Sequence, residues 1–152
     1  MAHGHSLKRA SDFLDKEVGV SDWVTIDQTR IDVFAAVTGD QQWIHRETPE
    51  AYDGPFGAPV AHGLLSLGLT VQLAESAGAL PEDSSMCVNY GYDRIRFPAP
   101  VKAGERIRLR SSLVKIEPRQ DGGVMLTHRY TIDIEGQEKP ALVCDCLGVF
   151  YP

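Results

Sequence analysis

Cysteine is scarce in this chain: Cys87, Cys144 and Cys146 make an odd set of three. Cys144 and Cys146 flank a single residue and cannot bridge within an extended strand, and neither a Cys-x-x-Cys pair nor a zinc-ligand spacing occurs. A disulfide framework is thereby excluded, and reduced thiols in a cytoplasmic protein are the expectation. Positive charge is also in deficit, with 15 Lys and Arg against 21 Asp and Glu and a formal charge of −6. Nucleic acid and anionic membrane both require a basic face, so neither is an expected partner. No apolar run is long enough to span a bilayer, since the longest, Val60 to Leu80, is broken by His62, Gln72, Glu75 and the glycines 63, 68 and 78. No apolar stretch follows Met1-Ala2-His3-Gly4-His5 either, which speaks against a secretory signal and for a flexible end over residues 1–6. Internal repeats and low-complexity segments are absent.

What the chain does contain is a balanced globular composition, 43% apolar and 24% charged over 152 residues. That length suits one domain, residues 1–152, able to bury its own core. Leu7, Ala10, Phe13 and Leu14 have helical spacing, with Gly19 as the expected stop. Trp23-Val24-Thr25-Ile26 predicts a brief strand. Ile31, Phe34, Ala35 and Thr38 then predict a helix with one apolar face, opened by Asp27 as N-cap and closed by Gly39 in a left-handed C-cap. Thr48-Pro49 reads as a second helix start. From Gly63 the chain is apolar on several faces of a helix, which must therefore be enclosed.

Strand character fills the second half, over Asn89 to Phe97, Arg106 to Ile116, Val124 to Glu135 and Ala141 to Tyr151. Asp121-Gly122-Gly123 predicts a tight hairpin and Glu135-Gly136-Gln137 a second turn, and a phase slip near Leu113 and Val114 predicts a bulge. The economical arrangement is an α+β fold, an antiparallel sheet wrapped around one long apolar helix. Such a small sheet keeps exposed edges unless it pairs with a copy of itself, so a homodimer is expected. Arg94, Arg96, Lys102, Arg106, Arg108 and Arg110 form the one cationic bunch. It is either the solvated face of strands or a docking surface for a phosphate-bearing substrate.

Asp40 and His45 are the candidates for proton transfer. A carboxylate and an imidazole five residues apart, just past a capped helix end, can hold and polarise one water. A capping aspartate and a core histidine would show the same spacing. Gly63 adds backbone donors at the head of a helix, where the dipole favours developing negative charge, as an oxyanion hole for a thioester carbonyl requires. A glycine selected for close packing against the sheet is the alternative. Gln42, inside the turn, is a further candidate for touching substrate, and Asn89, at the start of a strand, for lining the pocket.

The residues Asp40-x-x-x-x-His45, followed by Phe56-Gly57-Ala58-Pro59-Val60-Ala61-His62-Gly63, resemble the hydratase motif of MaoC-like (R)-specific enoyl-CoA hydratases. The likeness extends to Arg96-Phe97-Pro98-Ala99-Pro100-Val101 and Gly104. Ser21-Asp22-Trp23, Thr38-Gly39-Asp40 and Gln42-Trp43-Ile44-His45 are most similar to the branch related to nodulation protein N. The resemblance implies a single hotdog domain, without a metal or other cofactor. It further implies hydration of trans-2-enoyl-CoA to (R)-3-hydroxyacyl-CoA, or the reverse, on a CoA thioester or an acyl carrier protein ester. Asp40 and His45 fall on the family's catalytic pair and Gly63 on its oxyanion amide. Gln42-Trp43 departs from the commoner Asn-Pro, and Gly68 stands where some members have a serine. Ser66, two residues earlier, is taken as helix packing. An acyl-CoA thioesterase and a non-catalytic acyl-CoA-binding or regulatory protein are the competing functions, the latter having no need of both members of an acid/base pair.

Overall fold

The computed structural model describes residues 5–152. Of the end expected to be flexible, residues 1–4 lie outside the described residues. His5 is fully buried and the Ser6 hydroxyl donates to Asp83 at 2.8 Å. The expected first helix is a 3₁₀ segment, Leu7–Phe13, that seats Leu7 and Ala10 in the core. It does not run to Gly19. The chain instead enters a strand, β1 (Lys16–Val20), that passes through the glycine. A Cβ on Gly19 would lie inside contact distance of the Ala77 carbonyl oxygen, so the residue marks a close approach of two backbones and not a stop.

β2 (Val24–Thr25) leads into α1 (Gln28–Thr38). The Asp27 carboxylate accepts from the Arg30 amide at 2.9 Å, and Gly39 closes the helix at φ 77°. A 3₁₀ turn, Trp43–His45, and a short helix, α2 (Pro49–Asp53), follow. Pro49 takes the first turn as expected, but Thr48 makes no side-chain cap bond. α3 (Gly63–Ser76) is the long apolar helix. It packs against β1, β4 (Arg106–Pro118) and β6 (Leu142–Tyr151).

With β3 (Met86–Arg96) and β5 (Val124–Ile134), these strands make one antiparallel sheet in the order β1-β4-β5-β6-β3, with β2 added to β4. The register of β4 on β5 shifts between Leu113 and Lys115, where the alternation breaks in sequence. Leu109, Leu113, Leu126, Ile132 and Leu142 are fully buried between sheet and helix. The inward face of β5 also carries His128, only 1% exposed, whose Nε2 has no hydrogen-bond partner among the described residues. Most of the cationic bunch is spent on the sheet's outer face. Arg94 pairs with Asp145, Arg106 with Glu135, Arg108 with Asp133 at 3.2 Å and Arg110 with Glu17 at 2.6 Å. Among the described residues, Arg96 and Lys102 have no carboxylate partner. No helix among the described residues is long and apolar enough to cross a membrane.

Two stability effects follow. Gly19→Ala forces β1 away from Ala77 and is expected to cost about 1–3 kcal/mol in urea denaturation. Burial, with His5 adding to the effect, pushes His128 down to about 3, so the folded chain refuses a proton that the unfolded chain binds near pH ~6.5. The stability is therefore complete above that pH and falls as pH drops through the window, by up to about 1.4 kcal/mol per pH unit for this group. Urea midpoints measured from pH 7 downward should show a slope of this sign, and His128→Leu should reduce it, with His5 and His45, also lowered by burial, supplying the rest.

Candidate active site

Gly39 turns the chain out of α1, so Asp40 leaves the helix end with its side chain 53% exposed. The Asp40 Oδ1 accepts from the Gln42 amide at 3.3 Å, and the Gln42 carbonyl accepts from the His45 amide at 3.0 Å. Gln42 thus shapes the turn through its backbone, while its side chain is exposed. The 3₁₀ turn brings His45 back beneath Asp40, 7% exposed, with Nε2 at 3.9 Å from Asp40 Oδ2. His45 Nδ1 sits 2.7 Å from the Val60 carbonyl oxygen. An acceptor there requires the proton on Nδ1, so Nε2 carries the lone pair and faces the carboxylate. Burial holds the imidazole below its ordinary value, opposed by the Val60 bond, and keeps it neutral at pH 7.

Two supports of this turn have no counterpart among the residues singled out from the sequence. Gln28, on α1, donates from its side-chain amide to the His45 carbonyl at 2.8 Å. His62, which is 3% exposed, stacks on His45 with ring centroids 3.6 Å apart and receives Phe34 on its other side at 4.9 Å. His62 Nε2 lies 3.0 Å from the Asp40 backbone oxygen, a contact that places the ring proton on Nε2. Its position next to Gly63 in the motif is the signal that would have found it.

Asp40, His45 and His62 bring one potential metal-ligand atom each within 4.8 Å of one another. With its proton on Nε2, His62 offers Asp40 a donor and not a lone pair, so the trio suits proton handling better than a cation.

Gly63 heads α3, where the first amides have no intrahelical acceptor. A Cβ on Gly63 would meet the Phe97 ring at 3.0–3.1 Å, so close packing also favours glycine there. One cleft of about 320 Å³ has His45, Gly63, Ser66, Phe97 and Val101 in its walls. Ser66, expected only to pack the helix, is buried and lines this cleft. Asn89 does not join it. It lines a separate cavity further along α3, together with Thr70 and Tyr92. The structure therefore brings together Asp40, His45 and Gly63, and leaves Asn89 at the other end of the helix.

Residues 10–133 match the family described as the MaoC like domain. The 3-hydroxyacyl-thioester dehydratase Z of Mycobacterium tuberculosis is 42% identical over 132 residues, covering 87% of each chain. Nodulation protein N of Rhizobium leguminosarum is 38% identical over 149 residues, covering 97% of this chain and 92% of that protein. The expected likeness to the nodulation protein N branch is thus borne out. Among solved structures, the monoamine oxidase regulatory protein from Archaeoglobus superposes with a TM-score of 0.81 at 21% identity, covering 100% of this chain and 99% of that one. The (R)-hydratase of A. caviae gives 0.70 at 19% identity, covering 88% and 96%. These neighbours share the hotdog fold expected from the sequence. Because the matched span runs from the first 3₁₀ segment into β5 and takes in both arms of the site, the chain belongs to the family of MaoC-like domains.

Proposed function

We propose that the protein is a cytoplasmic (R)-specific enzyme for the hydration of trans-2-enoyl-CoA or the reverse dehydration, with acyl carrier protein esters as a second carrier. The observation that carries this reading is the hydrogen bond from His45 Nδ1 to the Val60 carbonyl, which aims a lone pair at Asp40. Two acceptors 3.9 Å apart are too distant to bond each other. They lie within about half an ångström of the roughly 4.4 Å that separates two acceptors bridged by one water at ordinary hydrogen-bond lengths. The name of the 42% identical relative, a 3-hydroxyacyl-thioester dehydratase, supports the same substrate class.

In the proposed reaction the thioester carbonyl lies at the Gly63 amide, where negative charge develops as C3 is attacked. The water held by Asp40 and His45 gives its hydroxyl to C3 and its proton to His45 Nε2. The imidazolium so formed faces the Asp40 carboxylate, which stabilises it, and then returns the proton to C2. No cofactor enters this scheme. Arg96 and Lys102 flank the Phe97–Val101 segment of the cleft wall, and their side chains, without a carboxylate partner among the described residues, are placed to meet the phosphates of CoA.

A homodimer is part of the proposal. β3 is an edge strand, and Met86, Val88 and Tyr90 on it are 51%, 47% and 64% exposed. Leu64 and Val71 on α3 are exposed as well. A second copy paired along β3 would satisfy the open backbone groups and cover these side chains.

Asp40→Asn and His45→Ala are each expected to lower crotonyl-CoA hydration by at least ~100-fold with the fold intact by circular dichroism. Near-normal turnover in either variant would sink the assignment, and chiral analysis of the product tests the (R) configuration. Since the neutral imidazole is the working form, kcat/KM should fall as pH drops through a His45 value below ~6.5. A flat acid limb would contradict the role given to Nε2. Sedimentation should give a dimer that Val88→Lys weakens; a wild-type monomer at micromolar concentration would overturn the β3 interface.

A further inference from the structure

The catalytic cleft and the second cavity occupy two ends of one helix–sheet seam. On α3, Gly63 and Ser66 line the cleft while Thr70 and Ala74 line the cavity, each four residues apart after Ser66 and so on one helical face. On the sheet side the cavity has Tyr92 of β3, and the cleft has Phe97, the residue after the end of that strand. From Gly63 to Ala74 the helix rises roughly 16 Å, and five residues of strand cover about the same distance. Thr70 Oγ1 and the Tyr92 hydroxyl, 3.3 Å apart, lie in the wall of the second cavity. Ser66 in the cleft stands one helical turn before Thr70, so an acyl chain that keeps to this face of α3 heads toward the cavity.

The cavity beyond measures about 130 Å³, comparable with cavities of roughly 150 Å³ that admit a benzene ring. Its walls are mostly apolar, with Phe150 and Ala74 among them. A tail made only of hydrocarbon would nevertheless leave one polar group stranded there. His128 lines the cavity at 1% exposure, and its Nε2 has no hydrogen-bond partner among the described residues. The Tyr92 hydroxyl in the same wall already meets Thr70 Oγ1. A plain acyl pocket has no reason to carry a buried imidazole with an unmet bonding site, because that group loses its water and gains nothing. Held neutral by burial, His128 has Nε2 to give as one donor or one acceptor, which suits a hydroxyl or carbonyl oxygen and not a charged group.

We propose that the acyl chain follows this seam into the cavity and that the cavity selects an oxygenated chain, bearing a hydroxyl or keto oxygen beyond the reacting carbons, with His128 as its hydrogen-bonding anchor and Tyr92 and Thr70 beside it. The proposal rests on the hydratase reading above and adds the substrate class to it. Occupation of the cavity by a plain alkyl tail, or by water alone, is what it competes against.

The test compares trans-2-hexenoyl-, octenoyl- and decenoyl-CoA, each with and without a terminal hydroxyl, as kcat/KM normalised to crotonyl-CoA in the same enzyme. At the chain length that reaches His128, the hydroxylated ester should be preferred by about tenfold or more, as sites built to pair a buried hydroxyl discriminate. His128→Leu should abolish or reverse that preference. Tyr92→Phe, which keeps the ring, should reduce it and serves if the histidine variant does not fold. A preference for the plain chain at every length overturns the proposal, as does a hydroxyl preference unchanged in both variants. If crotonyl-CoA itself is not hydrated, the hydratase reading has failed and the anchor is tested by calorimetry. Saturated octanoyl-CoA and its terminally hydroxylated analogue should then still differ in affinity, and equal binding overturns the anchor.

Discussion

The hydrogen bonds of the segment Pro59–Ala61 hold the site together. The Val60 amide donates to the Ile44 carbonyl at 2.9 Å, and the Val60 carbonyl accepts from His45 Nδ1 at 2.7 Å. On the other side, the Ala61 amide donates to Val101 at 2.7 Å and the Ala103 amide to Pro59 at 2.9 Å. A short extended piece of chain thus ties the 3₁₀ turn that carries His45 to the loop that delivers β4. Two residues later the same piece becomes the head of α3. The distance between imidazole and helix N-terminus is therefore set by backbone bonds over four residues, and not by long side chains. Buried bonds of this kind are costly to leave unmade, so the turn has little freedom to drift.

That constraint decides the electronic state of the site as well as its shape. The Val60 oxygen accepts only a donor, so it selects the tautomer of His45, and His62 is fixed in the opposite sense by the Asp40 carbonyl. Two stacked imidazoles then present different faces, one a lone pair and one an N–H, to the same aspartate. Stacking them with Phe34 also removes His45 from water on one side, which burial converts into a neutral ring. Asp40 stays half exposed because the Gly39 cap throws it outward, and a solvated carboxylate can stabilise positive charge without itself being desolvated.

Features with local causes were legible in the sequence. The Asp27 cap, the left-handed Gly39, Pro49 at a helix start and the bulge near Leu113 each arise from a few neighbouring residues, and each stands where the pattern put it. Gly19 was misread because its reason lies in Ala77, far away in sequence, where two backbones meet. Gln28 and His62 escaped notice for the same cause: each acts on a turn that only the tertiary fold brings near. Asn89 looked like a pocket residue and is one, but strand register carries it to the opposite end of α3. His128 shows a different failure. It sits in phase with Leu126 and Tyr130 on the inward face of β5, and periodicity alone treats such a position as core without asking what the ring's nitrogens bond.

α3 itself resolves an apparent excess in the sequence. A helix that packed one face on a sheet would need a single apolar stripe, yet this one is apolar nearly all round. One stripe, through Leu65 and Leu73, meets the sheet and is buried. A second, through Leu64 and Val71, is exposed. Between them runs the row Ser66, Thr70 and Ala74, whose small side chains leave room along the seam where larger ones would fill it. The helix therefore supplies backbone donors at its head and space along its flank. Both follow from glycine, serine, threonine and alanine standing where a core helix would ordinarily place leucine.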